Sequence, residues 1–419
     1  MSISRGPLSW QQESMMGSGG APNEIFEISL EIPSSVTEAE LIQRVRRLVQ
    51  REPALRIIGF DHDGVVYDEE MQPPIEFGSD DFIENLDAPL VRNSGEEINL
   101  PMWHLAVSDR EDSTGGHRKA IARFNHFIVD RDSANLIRGE LETGIEADPR
   151  RGAGSYRDWV VKQRRDFDPS ARNTDTRRFW TNYLDADWYT RRAPVSFCAA
   201  SYPVTGHAAI RLSKHVAISR ESVQSACMSL KSTPLAILIA AIVATVSNDS
   251  GENDITLQII TSGRNIHSTS AIGWLSNYVP IRISGENLQD FPNALSASKK
   301  ALQAIVRFQD TPAAYLDKMY TETFAPSGVT KERQIVVNLF SEIVSGLSPE
   351  DFSDQRFVMS DSDFTMSGTD VGLLVAPMAE GGYIFRLDGA SSDPTGTEER
   401  KFLQSLTRRF TEEIGGLRP

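Results

Sequence analysis

The chain has 419 residues, 40% apolar and 24% charged, with a formal net charge of −15. This is a globular composition, long enough for two lobes with their own cores. The acidic balance argues against a general nucleic-acid or anionic-membrane binder, because phosphates repel it. Two cysteines, Cys198 and Cys227, are too few for a disulfide framework or a thiolate metal site, and both are expected as core or half-buried thiols.

In chain order, "MSISRGPLSWQQESMM" lacks the apolar core of a signal peptide. Residues 25–32, "IFEISLEI", alternate Phe26, Ile28, Leu30 and Ile32 with Glu27, Ser29 and Glu31, the pattern of a half-buried strand. Thr37 opens a helix with Glu40 three residues on, a capping box, and Leu41, Val45, Leu48 and Val49 form its apolar stripe. "IIGFDHDGVVYD" (57–68) resembles the Asp-x-Asp-Gly motif of haloacid-dehalogenase-type phosphotransferases, where the first Asp is a nucleophile. Yet it follows a helix instead of opening a fold, and a hairpin needs only "HDG" there. Residues 101–107 and 120–129 read as strands, and 156–165 and 176–184 as helical. A Pro-, Ala- and Tyr-rich connection over 185–205 divides the chain into 1–184 and 185–419.

The second half is built in the same manner, with a strand, a long helix over 219–246, a strand over 255–261 and an amphipathic helix over 397–414. The apolar run 235–246 is too short to span a bilayer. Thr233 is its expected N-cap and Pro234 its first residue, which makes it a buried core helix. A cytoplasmic protein without membrane or nucleic-acid partners is expected. No Walker loop, Gly-x-Gly-x-x-Gly loop or Gly-x-Ser-x-Gly elbow occurs. Mixed strands and helices in two similar halves suggest an α/β or α+β protein.

Of seven histidines, only His126, in "RFNHFIVDRDS" (123–133), has an acidic residue four positions later. A neutral imidazole there can take a proton from an attacking amine or hydroxyl, while the carboxylate fixes the loop or the ring. A loop histidine with a purely structural role has the same spacing. The wider context carries more. "IARFNHFIVDRDSANLIRGEL" (121–141) resembles the His-His-x-x-x-Asp-Gly segment of nonribosomal peptide synthetase condensation domains, which is followed by Ser and a helix. "LSWQQESMM" (8–16), "QREPALRI" (50–57), "YRDWVVKQRR" (156–165), "IITSGRN" (259–265) and "IGWLSNYVPIR" (272–282) are similar, in order, to further landmarks of that family. In that alignment 57–68 is the family's Asp-Gly turn, which removes the phosphotransferase rival.

The resemblance implies two chloramphenicol-acetyltransferase-like lobes in a V-shaped pseudo-dimer, with the active site in a tunnel between them. It implies attack of an amine or hydroxyl acceptor on a thioester delivered by the phosphopantetheine arm of an acyl or peptidyl carrier protein, with no bound cofactor and no metal. By position His126 is the family's second histidine, the general base or positioning residue. Asp130 completes the catalytic pair as its structural aspartate, Arg264 is its expected ion-pair partner, and Asn277 is the asparagine near the tunnel. The departures are Asn125 for the first histidine, Arg131 for glycine, Ser14 for arginine and Lys162 for tryptophan. Asn125 and Arg131 thus join Asn277 as candidate substrate contacts. An outward Arg131 would pair with Asp132 or Glu140. Trp274 and Tyr278 are expected in the core, and the six Arg pairs read as solvated helix faces or as docking patches for acidic carriers. With no adenylation or carrier segment visible, a free-standing condensation enzyme is expected. The alternative is a catalytically silent condensation-like module that binds carriers and recruits another enzyme.

Overall fold

The alternation read from Ile28 to Ile32 becomes the core-facing side of a strand: in the computed structural model these side chains are 7%, 1% and 0% exposed at Ile28, Leu30 and Ile32. Described are residues 2–17, 25–61, 63–81, 101–111, 115–145, 155–171, 174–184, 195, 208–265, 268–324, 334–340, 355–358, 371–379, 381–391 and 396–416. The chain divides into two compact units, Met1–Asp168 with Ser262–Asn277, and Pro169–Thr261 with Tyr278–Pro419.

The first unit runs β1 (Ile3–Gly6), α1 (Trp10–Gly17), β2 (Ile25–Pro33), α2 (Glu38–Arg51), β3 (Ile57–Asp61), β4 (Gly64–Asp68), β5 (Ile75–Gly78), β6 (Trp103–Glu111), β7 (His117–Asn125), α3 (Arg131–Thr143) and α4 (Tyr156–Asp166). Its sheets are ordered β1-β4-β3 and β2-β7-β6-β5. β3 and β4 form the antiparallel pair expected of a hairpin, with Asp61 opposite Gly64. Thr37 caps α2 by accepting from Glu40 N at 3.2 Å, but the expected reciprocal half is absent. The Glu40 carboxylate is taken by Arg44, one turn ahead, at 2.7 Å. The reciprocal box occurs at Ser155 and Asp158, opening α4. The α2 stripe Leu41, Val45, Leu48 and Val49 is buried in the core with Trp103, Phe124 and Phe127. Ala271, Ile272 and Leu275 enter this core from far along the chain.

The second unit runs α5 (Asp175–Leu184), β8 (Ala208–Val216), α6 (Arg220–Ser229), α7 (Pro234–Ser250), β9 (Asp254–Thr261), β10 (Asn277–Ser284), α8 (Phe291–Ile305), α9 (Ala313–Phe324), β11 (Ile335–Leu339), β12 (Gln355–Val358), β13 (Val371–Pro377), β14 (Tyr383–Ser391) and α10 (Thr397–Gly415). Its sheet is ordered β10-β9-β11-β13-β14-β8-β12, parallel through β9, β11 and β13 and antiparallel from β13 to β12. The sequence boundary at 184/185 is corrected. α5 belongs to the second unit because Phe179 stacks on Phe308 at 4.1 Å, Trp180 Nε1 donates to Thr311 Oγ1 at 2.9 Å, and the Tyr183 hydroxyl accepts from Arg282 N at 3.0 Å.

The helix expected over 219–246 is two helices bent by 85°. Pro234 has no N–H to continue the first helix and disfavours helical backbone before it. Lys231 turns to a positive φ of 47°, and Thr233 caps the new helix by accepting from Ala236 N. α7 is buried on every side from Ala236 to Ser247, as an all-round apolar helix must be. Among the described residues no single helix is long and apolar enough to cross a membrane. Cys227 is a half-buried free thiol, and Cys198 lies outside the described residues.

Candidate functional site

β7 ends at Asn125 and α3 begins at Arg131, so five residues carry the chain round a turn. Asn125, with no exposure, builds that turn. Its Oδ1 accepts from Phe127 N at 2.9 Å, and its carbonyl accepts from Ile128 N at 3.1 Å. The side chain is sealed and braces the turn, the backbone-bonding role open to an asparagine in place of the family's first histidine. Gln12, from the opening motif, donates to the Phe127 carbonyl at 2.9 Å.

His126 projects from this turn half-buried. Its Nδ1 lies 2.8 Å from the Val129 carbonyl. A carbonyl only accepts, so Nδ1 carries the proton of the neutral ring and Nε2 carries the lone pair. The ring packs on Trp274 at 4.4 Å between centroids. The Val129 carbonyl and the Trp274 ring thus fix the orientation of the imidazole.

Asp130 caps α3 by accepting from Ser133 N at 2.8 Å. Arg264 grips both its oxygens, Nη1 to Oδ2 and Nη2 to Oδ1, each at 2.8 Å. Leu275 N and Ser276 N also donate to Oδ2, each at 2.9 Å. The side chains of the pair are 8% and 3% exposed for Arg264 and Asp130. Burial alone would push the Asp130 carboxyl up; the Arg264 charge and the donated hydrogen bonds outweigh it and hold the carboxyl below its ordinary value. Burial likewise works against the Arg264 charge, and Asp130 more than restores it. With its oxygens filled by these donors, Asp130 ties the start of α3 to the 262–277 segment.

Ser133 completes the clasp. Its hydroxyl accepts from Arg264 Nη2 at 2.7 Å and Gly273 N at 2.9 Å, and donates to the Gly273 carbonyl at 2.7 Å. The segment 262–277 needs two glycines to lie so close. Gly263 has a φ of +61°, and a Cβ there would sit 1.7 Å from the Leu275 carbonyl oxygen. A Cβ on Gly273 would sit 2.1 Å from the Tyr156 ring. Gly263→Ala is therefore expected to lower the thermal midpoint by several degrees, since left-handed strain and a backbone clash add. Differential scanning calorimetry checks this, and an unchanged midpoint would mean the segment can be repositioned at no cost.

Arg131 is the first residue of α3 and half-buried. Glu140, offered as its partner, is instead held by Arg51 through both oxygens, at 3.1 and 2.6 Å. Asp132 contacts Arg264 Nη1 at 3.4 Å. Asn277, 3% exposed, opens β10. Trp274 is buried, as expected, but its ring serves His126. Sequence reasoning missed Ser133, Gln12 and Gly273; their signal was a place inside the quoted motifs. The landmark motifs converge here: Gln163 Nε2 donates to Gln11 Oε1 at 3.0 Å, and Arg164 pairs with Glu13 at 2.5 Å. Among the described residues no cluster of three or more His, Cys, Asp or Glu is placed to hold a metal.

The architecture is a mixed α/β fold of the kind seen in condensation-domain structures. A family model, the condensation domain, matches residues 118–327, half of the chain, and the chain belongs to that family. A solved structure concerning condensation domain-mediated chain release from the enacyloxin polyketide synthase superposes with a TM-score of 0.72 at 18% identity, covering 99% of this chain and 83% of that one. PapA2 acyl transferase gives 0.69 at 13%, covering 99% and 93%. The X-domain from teicoplanin biosynthesis gives 0.67 at 13%, covering 98% and 96%. At these identities the likeness establishes the fold. No curated protein sequence matches the chain.

Proposed function

We propose that this chain is a condensation enzyme of natural-product biosynthesis, moving an acyl or aminoacyl group from a carrier-protein thioester to an amine or hydroxyl acceptor. The observation that carries the reading is the His126 ring, whose Nδ1 is held by the Val129 carbonyl, so that Nε2 is the basic nitrogen of the neutral ring. Nε2 takes the acceptor's proton as its lone pair attacks the thioester carbonyl. The C–S bond then breaks and the phosphopantetheine sulfur leaves with the proton that Nε2 had taken, which restores the neutral ring. Here the phosphopantetheine arm is part of the substrate, and the reading invokes no resident cofactor.

The test is single turnover with a panel of acyl-loaded carrier proteins and amine or alcohol acceptors, read by mass spectrometry of the carrier. Loss of the acyl mass with appearance of an amide or ester supports the proposal. Carrier binding without transfer across the panel would favour the silent module, for which the fixed tautomer would have no use.

Arg131 stands where the family has glycine and retains a backbone N–H in the first turn of α3, where amides lack an intrahelical acceptor. An outward guanidinium leaves the reacting groups undisturbed. Arg131→Gly should then keep turnover within about tenfold, ~1.4 kcal/mol of barrier. A collapse, or a sharp change in which acyl groups are accepted, would show that Arg131 reads the substrate.

A further inference from the structure

In the second unit, α8, the end of α6 and the last turns of α10 line an open groove of about 560 Å³, within the range of small-molecule sites. Its lining is segregated. Phe291 and Leu295 from the start of α8, 4% and 6% exposed, show only their edges at an apolar end that half-buried Leu230 beyond the end of α6 completes. Lys299 and Lys300 follow on α8. At the rise of a helix, Leu295 and Lys299 are ~6 Å apart along the axis, and Phe291 and Lys300 ~14 Å.

Neither lysine has a carboxylate partner among the described residues. The Lys299 ammonium donates to the Lys231 carbonyl at 2.9 Å, and Lys231 itself is exposed. The acid lining the groove is Glu413. Burial pushes its carboxyl up, Arg409 opposes this, and Glu412 and Asp290 add to the rise. In a chain of net charge −15, two ammoniums against the one lining acid Glu413, beside an apolar wall, favour a ligand that brings its own negative charge and an apolar tail.

We infer that this groove binds a medium-chain carboxylate, its chain along Leu230, Phe291 and Leu295 and its head on Lys299 and Lys300. No groove residue belongs to the unit that carries His126, so the inference does not rest on the transfer reaction.

The experiment is calorimetric titration of the whole chain with decanoate, and with decanol as the uncharged equivalent. Saturable one-site binding is expected, weakened at least tenfold in Lys299→Gln/Lys300→Gln, and at least tenfold weaker for decanol, as loss of a charge-assisted contact predicts. Glu413→Gln should bind as tightly or more tightly, because it removes a like charge. Both variants alter partly exposed groups, so they should fold, which thermal midpoints verify. Absence of saturable binding, equal affinity for decanol, or decanoate affinity unchanged in the lysine variant would overturn the inference. Decanoate held beside His126 gives that last result. The carrier transfer assay fails or succeeds independently of all of these.

Discussion

Arg264→Met is expected to destabilise the first unit more than any other single change at the site. It strips the charge partner from Asp130, which is 2% exposed, and removing one member of a buried pair costs about 3–5 kcal/mol because the other charge stays buried. The Ser133, Leu275 and Ser276 amides remain on the carboxylate, so the variant should fold at reduced temperature. Asp130→Asn should cost a similar amount by stranding the guanidinium. The double variant Asp130→Asn/Arg264→Met should cost less than the sum of the two, since neither charge is then left alone. Calorimetry with limited proteolysis of the 262–277 segment reads this out. An additive double variant, or single variants with the parent's midpoint, would mean that the pair does not hold the segment.

The pair also sets a pH dependence. The folded Asp130 carboxyl lies below its ordinary value, so its contribution to stability is present above the unfolded pKa, about 3.9, and is lost as pH falls through the lower folded one. Below about pH 4 the advantage of the parent over Asp130→Asn should therefore shrink. A constant difference down to strongly acid pH would contradict the lowered pKa.

Local physics was legible in the sequence where it acts over a few residues. Ile28 to Ile32 alternate because one sheet face meets the core, and Thr233 with Pro234 marks a helix start that no tertiary contact could conceal. The same proline should have split the helix expected over 219–246, but the apolar run on its far side masked the break. Asp130 and Arg264 are 134 residues apart, and only motif resemblance linked them. Nothing local shows that 262–277 leaves the second unit to pack in the first, because that depends on Gly263 and Gly273 meeting Leu275 and Tyr156 without side chains. The burial of Asn125 was hidden for a related reason. Its turn hydrogen bond to Phe127 is local, but its complete burial follows from the strand pairing of β2, β7 and β6.

His126→Ala is expected to lower carrier-to-acceptor transfer by roughly 10²-fold or more, the usual range for a positioned general base. Stability should change little, because the ring is half-buried and its hydrogen bond goes to a backbone carbonyl within its own turn. Asn125, Gln12 and Asp130 hold that turn through bonds that do not involve the imidazole. Carrier affinity should persist for the same reason, so the loss should fall on kcat while KM for the loaded carrier holds. Trp274→Phe offers a graded companion. It keeps an aromatic surface for the ring but loses the indole N–H bond to Ser276 at 3.0 Å; turnover should drop by less than in His126→Ala, with the same split between kcat and KM. Full turnover in His126→Ala would remove the base from the mechanism and leave the silent-module reading or a purely positioning histidine. A loss confined to KM would assign the imidazole to binding the loaded arm. A fall in kcat alone, in a protein with the parent's thermal midpoint, is the outcome that the fixed Nε2 lone pair requires.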